Sequence, residues 1–225
     1  PVVYMLMTMI AIFSLISPRY FSWKNFHNIL LQCAPLMILA FAQTIIILTE
    51  GIDLSINAVV NMITVLSVWL TLHGFSLLIS MGLSLLLAIL LGVFKGWLVA
   101  QFKMPPFIVC YGVQNVINSM ALLITSGASI YVASGFYHQV TRDWLFLPGS
   151  VWIAVLMFFI SLVVLQKTKL GMTIRALGGN QEALTLAGVN IKKEMIKTYA
   201  FAGFLTGIAG IVLTLGTAVD ANVLI

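Results

Sequence analysis

The chain has 225 residues, of which 61% are hydrophobic and 8% are charged, and its formal net charge is +5. Water-soluble domains contain about 45–50% apolar and about 25% charged residues, so this composition excludes a soluble domain, a disordered chain and a coiled coil. Several stretches reach the roughly 20 apolar residues that cross a bilayer as a helix. The sequence therefore predicts a polytopic membrane protein. Its few acids and histidines leave little material for a metal or acid–base centre, and no cofactor is expected.

Seven charge-free apolar stretches predict an all-α bundle of about seven transmembrane helices in a single domain over residues 1–225. Alternation of apolar and polar residues at the strand period is absent, which argues against an outer-membrane barrel. Helices satisfy their own backbone hydrogen bonds in lipid, so they are the simplest solution. The predicted spans are residues 2–17, 29–49, 54–72, 75–94, 105–125, 148–165 and 198–216.

Lysines and arginines are divided unequally between the two sides of the predicted membrane. Cytoplasmic loops carry the positive excess, so the richer side faces the cytoplasm and the first helix runs from inside to outside. Membrane topology then explains the net charge, and nucleic-acid binding is not expected. The cytoplasmic set is Lys95, Lys103, Lys167, Lys169, Arg175, Lys192, Lys193 and Lys197, and the opposite set is Arg19, Lys24 and Arg142.

The connection between the second and third spans carries two carboxylates beside a glycine. It reads Glu50-Gly51-Ile52-Asp53-Leu54-Ser55. We expect Gly51 to adopt the left-handed conformation that ends a helix, and Asp53 or Ser55 to cap the next helix. A broken helix near a membrane often marks a transport pathway. A short polar turn with a good cap explains the same residues.

Polar stripes in two of the predicted spans are candidates for a substrate pathway. Asn57 and Asn61 share a face of the third span, and Asn115 and Asn118 share a face of the fifth. Amides suit an uncharged, hydroxyl-rich solute such as a sugar, whereas a charged solute would need intramembrane charge, which these spans lack. Hydrogen bonding between helices explains these residues equally well.

Glycines spaced four residues apart indicate close packing between helices rather than chemistry. Gly92 and Gly96 form one such pair, and Gly203, Gly207 and then Gly210 form a second series. Small residues at this spacing let two helix backbones approach each other.

The predicted cytoplasmic loop at about residues 166–197 contains the signals of one short helix. Gly178 and Gly179 predict a turn, Asn180 is a good N-cap, Glu182 favours the positive helix start, and Gly188 is a good stop. So short a helix needs a surface to dock on, whether the bilayer, its own chain or a partner. Its apolar face is formed by Ala183, Leu184 and Ala187.

Three segments of the chain resemble signatures of the permease subunits of sugar-type ABC importers, the ribose, galactose, arabinose and furanosyl-autoinducer group. The resemblance extends over essentially the whole chain, and the segments occur in the family's order. They are Gly51-Ile52-Asp53-Leu54-Ser55, then Pro106-Phe107-Ile108 followed by Gly112, and the loop Gly178-Gly179-Asn180-Gln181-Glu182-Ala183 through Gly188-Val189-Asn190.

The resemblance implies a multi-pass permease of the bacterial inner membrane that translocates a sugar or sugar-like solute. It implies three protein partners: an ATP-binding cassette ATPase that hydrolyses the ATP, a periplasmic solute-binding protein, and a second permease, identical or homologous. The docking helix would be residues 180–188, with Leu184 and Ala187 as anchors. The permease itself is then not an enzyme, and the sequence has no phosphate-binding Gly-x-x-x-x-Gly-Lys motif.

The chain also departs from the pattern of this family. Lys95 stands where an asparagine is common, Ile56-Asn57 where Val-Gly is common, Cys110-Tyr111 where Thr-Leu is common, and Leu184 where a small residue is usual. The family's last, glycine-rich helices are absent and the chain begins with Pro1, so we expect a fragment cut at both ends.

Three alternatives remain open from the sequence. One is a permease of the related branched-chain amino-acid importers, and another is a truncated remnant that transports nothing. The third is an intramembrane enzyme using Glu50 and Asp53, which lacks support because neither a His-Glu-x-x-His nor a Gly-x-Ser-x-Gly motif is present.

Overall fold

A computed structural model of the chain describes residues 2–17, 19–128, 143–144 and 146–217. Two short strands, β1 (Asp143–Trp144) and β2 (Leu147–Pro148), pair antiparallel, and the rest of the regular structure in this part of the chain is helical. The described helices are α1 (Val2–Ile16), α2 (Trp23–Ile47), α3 (Ile56–Leu72), α4 (Leu77–Phe102), α5 (Pro106–Thr125), α6 (Gly149–Lys167), α7 (Lys169–Leu177), α8 (Gln181–Leu186) and α9 (Ile191–Thr217).

Five of these helices, α2, α4, α5, α6 and α9, are long and apolar enough to cross a membrane. The apolar helices α1 and α3 have 15 and 17 residues, which is short for a hydrocarbon core that takes about 20. Each of the seven predicted spans therefore contains a helix. The structure supports an all-α membrane bundle, with five clear spans in the described residues in place of the predicted seven.

Local sequence explains where several helices begin. Ser22 and Ser76 precede α2 and α4, and each hydroxyl accepts a hydrogen bond from the backbone N–H three residues later, which is otherwise unpaired in a first helical turn. Helix α5 begins with Pro106, which suits that position because no helical donor is needed there.

Helix α9 forms the centre of the bundle and packs against α2, α3 and α4. Its most apolar window is 67% buried, whereas no other candidate span exceeds 33%. Tyr199, Leu205 and Ala209 lie in this core. The other spans present large apolar surfaces, as helices that border lipid or a further subunit do.

Helices α4 and α9 approach each other closely, as the glycine spacing predicts. A Cβ at Gly92 would lie 2.4 Å from the carbonyl oxygen of Tyr199, and a Cβ at Gly203 would lie 2.6 Å from the carbonyl oxygen of Ala88. These distances leave no room for a side chain. The packing role predicted for Gly92 and Gly203 is therefore confirmed.

Helix α4 extends beyond the predicted span 75–94 and ends at Phe102. Lys95 consequently lies inside the helix, about 10 Å from its C-terminal end at 1.5 Å per residue, and it is 3% exposed. The prediction that the spans carry no charge is wrong at this residue. A span drawn to avoid charged residues stops at the first lysine, whether or not the helix does.

The charge distribution along α2 agrees with the predicted orientation. Its C-terminal end borders a cavity shared with Lys103 and Lys192, both assigned to the cytoplasmic side. Arg19 and Lys24 lie at its other end, about 35 Å away for a helix of 25 residues. Arg142, assigned to the outer side, lies outside the described residues.

The loop between α6 and α9 holds two short helices, where the sequence predicted one. Helix α7 buries Gly171, Ile174 and Leu177, and Arg175 fixes it to α6 by donating a 2.8 Å hydrogen bond to the carbonyl oxygen of Leu165. The prediction missed α7 because a glycine inside a short segment lowers helix propensity. Here the glycine is needed, because a Cβ at Gly171 would lie 2.2 Å from the same carbonyl oxygen.

Candidate functional site

Several connections between helices converge at the lysine-rich end of the bundle, around a cavity of about 600 Å³. The walls come from the connection that follows α2, the end of α4, the α4–α5 connection, α8 and the first turns of α9. The charged residues in its lining are Glu50, Lys103, Glu182 and Lys192. Two of the predicted functional segments, the α2–α3 turn (residues 48–55) and the loop helix α8, therefore lie side by side.

A buried ion pair joins the α2–α3 turn to α4. The Lys95 ammonium lies 2.5 Å from Asp53 Oδ2 and donates a 2.8 Å hydrogen bond to Ser55 Oγ. Asp53 Oδ1 accepts hydrogen bonds from the Ser55 hydroxyl at 2.6 Å and from its backbone N–H at 2.8 Å. The two charged side chains are only 4% and 3% exposed. Asp53, Ser55 and Lys95 thus form one closed hydrogen-bonded cluster.

The cluster favours the ionised form of Asp53. Burial raises the pKa of Asp53, but the charge and hydrogen bond of Lys95, together with the hydrogen bonds from Ser55, outweigh burial and hold this pKa below its usual value. Lys95 and Asp53 have opposite formal charges, so the buried lysine has its counter-charge beside it.

The backbone of the α2–α3 turn differs from the prediction at Gly51. Glu50, rather than Gly51, adopts the left-handed conformation, with a φ of 60°. The N–H of Gly51 then bonds to the carbonyl oxygen of Ile46, and that of Glu50 to the carbonyl oxygen of Ile47, which is the pattern of a Schellman motif. Space around Gly51 is tight, because a Cβ there would lie 3.0 Å from Ile46 Cγ2 and 3.2 Å from the Tyr199 hydroxyl.

The predicted capping of α3 is also different in detail. The Ser55 side chain makes no capping hydrogen bond to the first turn of α3. It is engaged by Asp53 and Lys95 instead, and Asp53 binds the backbone N–H of Ser55 itself, just before the helix begins. Both side chains serve the link to α4 rather than the end of α3.

The C-terminal end of α7 packs directly against the α2–α3 turn. A Cβ at Gly178 would lie 2.2 Å from the carbonyl oxygen of Leu48 and 3.6 Å from Glu50 Cγ. The next residue, Gly179, is exposed, and a Cβ there would meet its nearest atom only at 3.7 Å. Of the two glycines predicted to form a turn, only Gly178 is required by its surroundings.

Gly178→Ala is expected to lower the free energy of unfolding by about 1–3 kcal/mol, the usual cost of forcing extra volume into a packed site. Gly179→Ala, at the neighbouring position, is expected to stay within about 0.5 kcal/mol of wild type, as most surface substitutions do. Denaturant unfolding of the detergent-purified protein measures both. Equal effects of the two variants would contradict the close packing of α7 on the turn.

Helix α8 begins and ends as the sequence predicts. The Asn180 side-chain oxygen accepts a 2.9 Å hydrogen bond from the backbone N–H of Ala183, Glu182 lies in the first turn, and Gly188 adopts a positive φ of 76°. The helix buries none of its residues. It is therefore a capped and mostly solvent-facing element.

The exposed apolar side chain of α8 is one that the sequence analysis did not select. Leu186 is 90% exposed, whereas Leu184 is partly buried on its own chain, and Ala183 and Ala187 are exposed but small. Ala187 is the C-terminal cap rather than a helical residue. On a helix drawn from 180 to 188, Leu186 lies beside the predicted apolar face rather than on it. Only the fold, which partly buries Leu184, reveals that Leu186 is the exposed leucine.

The asparagines of the two polar stripes are not in the core. Asn57 and Asn115 are exposed, and Asn61 and Asn118 are partly buried. They lie on α3 and α5, which pack against each other. The Asn115 amide donates a 3.0 Å hydrogen bond to the carbonyl oxygen of Tyr111 in the preceding turn. Exposing such amides to lipid is costly in free energy, so they are expected to face water or protein rather than lipid chains.

Within the described residues, no group of three or more histidine, cysteine, aspartate or glutamate side chains could hold a metal ion. Glu50 and Asp53, the pair considered for an intramembrane enzyme, do not act together in this geometry. Asp53 is bound by Lys95 and Ser55, whereas Glu50 is exposed at the cavity.

Comparison with known proteins identifies the family. The family described as branched-chain amino acid transport system / permease component matches residues 25–223. The chain belongs to this permease family. The match includes the α2–α3 turn, the α4–α5 connection and α8, so the residues that surround the cavity are part of the shared domain.

Its curated relatives include several sugar permeases. The ribose import permease protein RbsC of Haemophilus influenzae is 32% identical over 93% of this chain and 66% of that protein. The galactofuranose transporter permease protein YtfT of Escherichia coli is 36% identical over 87% of this chain and 58% of that protein. The fructose import permease protein FrcC of Rhizobium meliloti is 32% identical over 93% and 61%. The chain thus spans about 58–66% of the length of these relatives, and no solved structure gives a significant match.

Proposed function

We propose that the chain is a transmembrane permease subunit of an ABC importer for a sugar or sugar-like solute. The observation that carries the proposal is its identity of 32–36% to ribose, galactofuranose and fructose permeases over about nine tenths of the chain. The family description mentions branched-chain amino acids, but these relatives are named for sugars. An amino-acid importer is therefore the less supported alternative.

The exposed and partly buried amides of α3 and α5 fit a pathway for such a solute. Asn57, Asn61, Asn115 and Asn118 would offer hydrogen-bond donors and acceptors to hydroxyl groups without a net charge. These amides cannot face lipid cheaply, so we place them on a surface that lines the pathway or meets a second permease.

A competition assay tests the solute class. The permease is expressed with its ATPase and a solute-binding protein in cells that lack their own sugar uptake, and entry of labelled ribose, fructose and galactose is measured. We expect ATP-dependent uptake of at least one sugar that unlabelled leucine does not reduce. Uptake of leucine instead would favour the amino-acid importer, and uptake of neither class would contradict transport by this chain.

We further propose that α8 docks into the separate ATPase subunit, as the loop of the resembling family does. A six-residue helix is too short to be stable alone, and α8 is fixed at one end by the Asn180 cap and at the other by Gly188. Its exposed Leu186 is suited to enter an apolar pocket of a partner. Leu184, half-buried on its own chain, would support the helix from behind.

Leu186→Arg is expected to reduce the amount of ATPase that copurifies by about tenfold or more, because loss of a buried anchor and burial of an unpaired charge together cost at least 2 kcal/mol. Folding should not change, since the residue is exposed. Met172→Arg is the matched control, because Met172 is a 57% exposed apolar residue of α7 in the same loop. Quantitative affinity purification measures both variants. Wild-type recovery of the ATPase with Leu186→Arg would rule out α8 as the contact.

A further inference from the structure

The α2–α3 turn touches two elements that belong to different parts of the fold. On one side it receives the end of α7, where Gly178 leaves no room between the backbone and the Leu48 carbonyl oxygen. On the other side it is bound to α4 through Asp53, Ser55 and Lys95. The turn is therefore one of the places where the loop that carries α8 meets the transmembrane part of the fold, beside the contacts of α7 with α6 and α9.

On the loop side, the contacts are rigid. Helix α7 is capped by Thr168, whose hydroxyl accepts a hydrogen bond from the N–H of Gly171, and it is tied to α6 through Arg175. Only Gly178, Gly179 and Asn180 separate α7 from α8. A displacement of α8 by a partner would reach the α2–α3 turn through Gly178, since backbone atoms in contact cannot be compressed.

On the membrane side, the cluster fixes the turn to a single position on α4. Lys95 reaches both Asp53 Oδ2 and Ser55 Oγ, and the remaining carboxylate oxygen is held by Ser55. Helix α4 in turn lies against α9 through Gly92 and Gly96. The turn, α4 and α9 should consequently move as one unit.

A role in folding stability alone does not explain why charges are used at this point. A buried ion pair is often no more stabilising than apolar residues of similar volume. Helices α3 and α4 also have a second buried polar contact at their other end, where the Ser67 and Ser84 hydroxyls are 2.9 Å apart. What the ion pair adds is one defined register between the turn and α4, and a charged residue within a span commonly has a functional role.

We propose that Lys95 is a positioning residue for energy coupling: it locks the α2–α3 turn to α4, so that movement of the α7–α8 loop is passed to the central helices α4 and α9. The proposal rests on the proposed function as an ATPase-driven permease. It assigns to the Asp53–Ser55–Lys95 cluster a task in transport that does not involve contact with the solute.

The test compares solute uptake with ATP hydrolysis in the same vesicles, containing the whole permease–ATPase complex and supplied with solute-loaded binding protein. The double variant Asp53→Asn/Lys95→Met removes both charges, leaves no unpaired ion and keeps a side-chain oxygen for the Ser55 N–H. The matched control is Ser67→Ala/Ser84→Ala. It removes the buried polar contact between α3 and α4 at the end of α3 that is far from the turn.

We expect the double variant to assemble with the ATPase and to hydrolyse ATP, while the solute transported per ATP falls by at least about fivefold, the lower end of typical coupling between sites. The control should keep the wild-type ratio. Lys95→Arg retains the charge, so its ratio of transported solute to ATP should fall less than that of Lys95→Met. A merely structural role would lower assembly, hydrolysis and uptake together without changing the ratio.

If the double variant does not accumulate in the membrane, Gly178→Ala tests the other side of the turn, with Gly179→Ala as its control. The measurement is again the solute transported per ATP. A lowered ratio with Gly178→Ala supports the proposal. An unchanged ratio in an assembled Asp53→Asn/Lys95→Met complex, or in Gly178→Ala where the double variant does not accumulate, overturns it while leaving the proposed function intact. A wild-type complex without ATP-dependent uptake rejects the proposed function, and the coupling role with it.

Discussion

Asp53→Asn is expected to lower the free energy of unfolding by about 3–5 kcal/mol, the usual cost of leaving one buried charge without its partner. The substitution leaves Lys95, which is 3% exposed, without a carboxylate beside its ammonium, and only the uncharged carboxamide and the Ser55 hydroxyl remain near it. The carboxamide still accepts the Ser55 N–H, so the turn itself is preserved. The loss therefore reports on the ion pair rather than on the shape of the α2–α3 turn.

A double-mutant cycle measures the interaction free energy between Asp53 and Lys95 apart from the effect of each single substitution. Lys95→Met alone should cost a similar amount, because it leaves the Asp53 carboxylate buried. Asp53→Asn together with Lys95→Met should recover most of the loss, since no unpaired charge remains. Unfolding of the protein in mixed detergent micelles gives the three free energies. Additive losses in the double variant would show that Asp53 and Lys95 act independently, against the geometry of the cluster.

Much of the fold was predictable because it follows from local composition. Seven apolar stretches each contain a helix, and the caps of α8 were predicted from Asn180 and Gly188 alone. These features depend on residues within a few positions of one another. The close approach of α4 and α9 was also predictable, because Gly92 and Gly203 belong to series of spaced glycines, which are typical of close helix packing.

The cluster at the α2–α3 turn was not predictable in the same way. Asp53 and Lys95 are 42 positions apart, and no local pattern connects them. The predicted span stopped before Lys95 because a charge inside a membrane helix is expensive. That cost is avoided only by a partner that the tertiary structure supplies. Residues assigned to a pathway or to docking, such as Asn118 and Leu184, remain predictions until transport is measured.

Gly92→Leu is expected to lower the free energy of unfolding by about 3 kcal/mol or more, at the upper end of the cost of overpacking. Even a Cβ at this position would lie 2.4 Å from the Tyr199 carbonyl oxygen, which is backbone and cannot rotate away. Helices α4 and α9 would have to separate, and α9 is the helix on which α2 and α3 also pack. One side chain would thus disturb the whole centre of the bundle.

Gly82→Leu is the matched control, because Gly82 lies in the same helix and a Cβ there meets nothing within 4 Å. Leucine has a better helix propensity than glycine by somewhat less than about 1 kcal/mol, so the control should be neutral or slightly stabilising. Equal losses for the two substitutions would mean that glycine matters to α4 through its flexibility. A loss confined to Gly92→Leu identifies backbone contact with α9 as the cause. Since Lys95 lies less than one turn from Gly92 on this helix, such a contact would also hold the ion pair at its depth in the bundle.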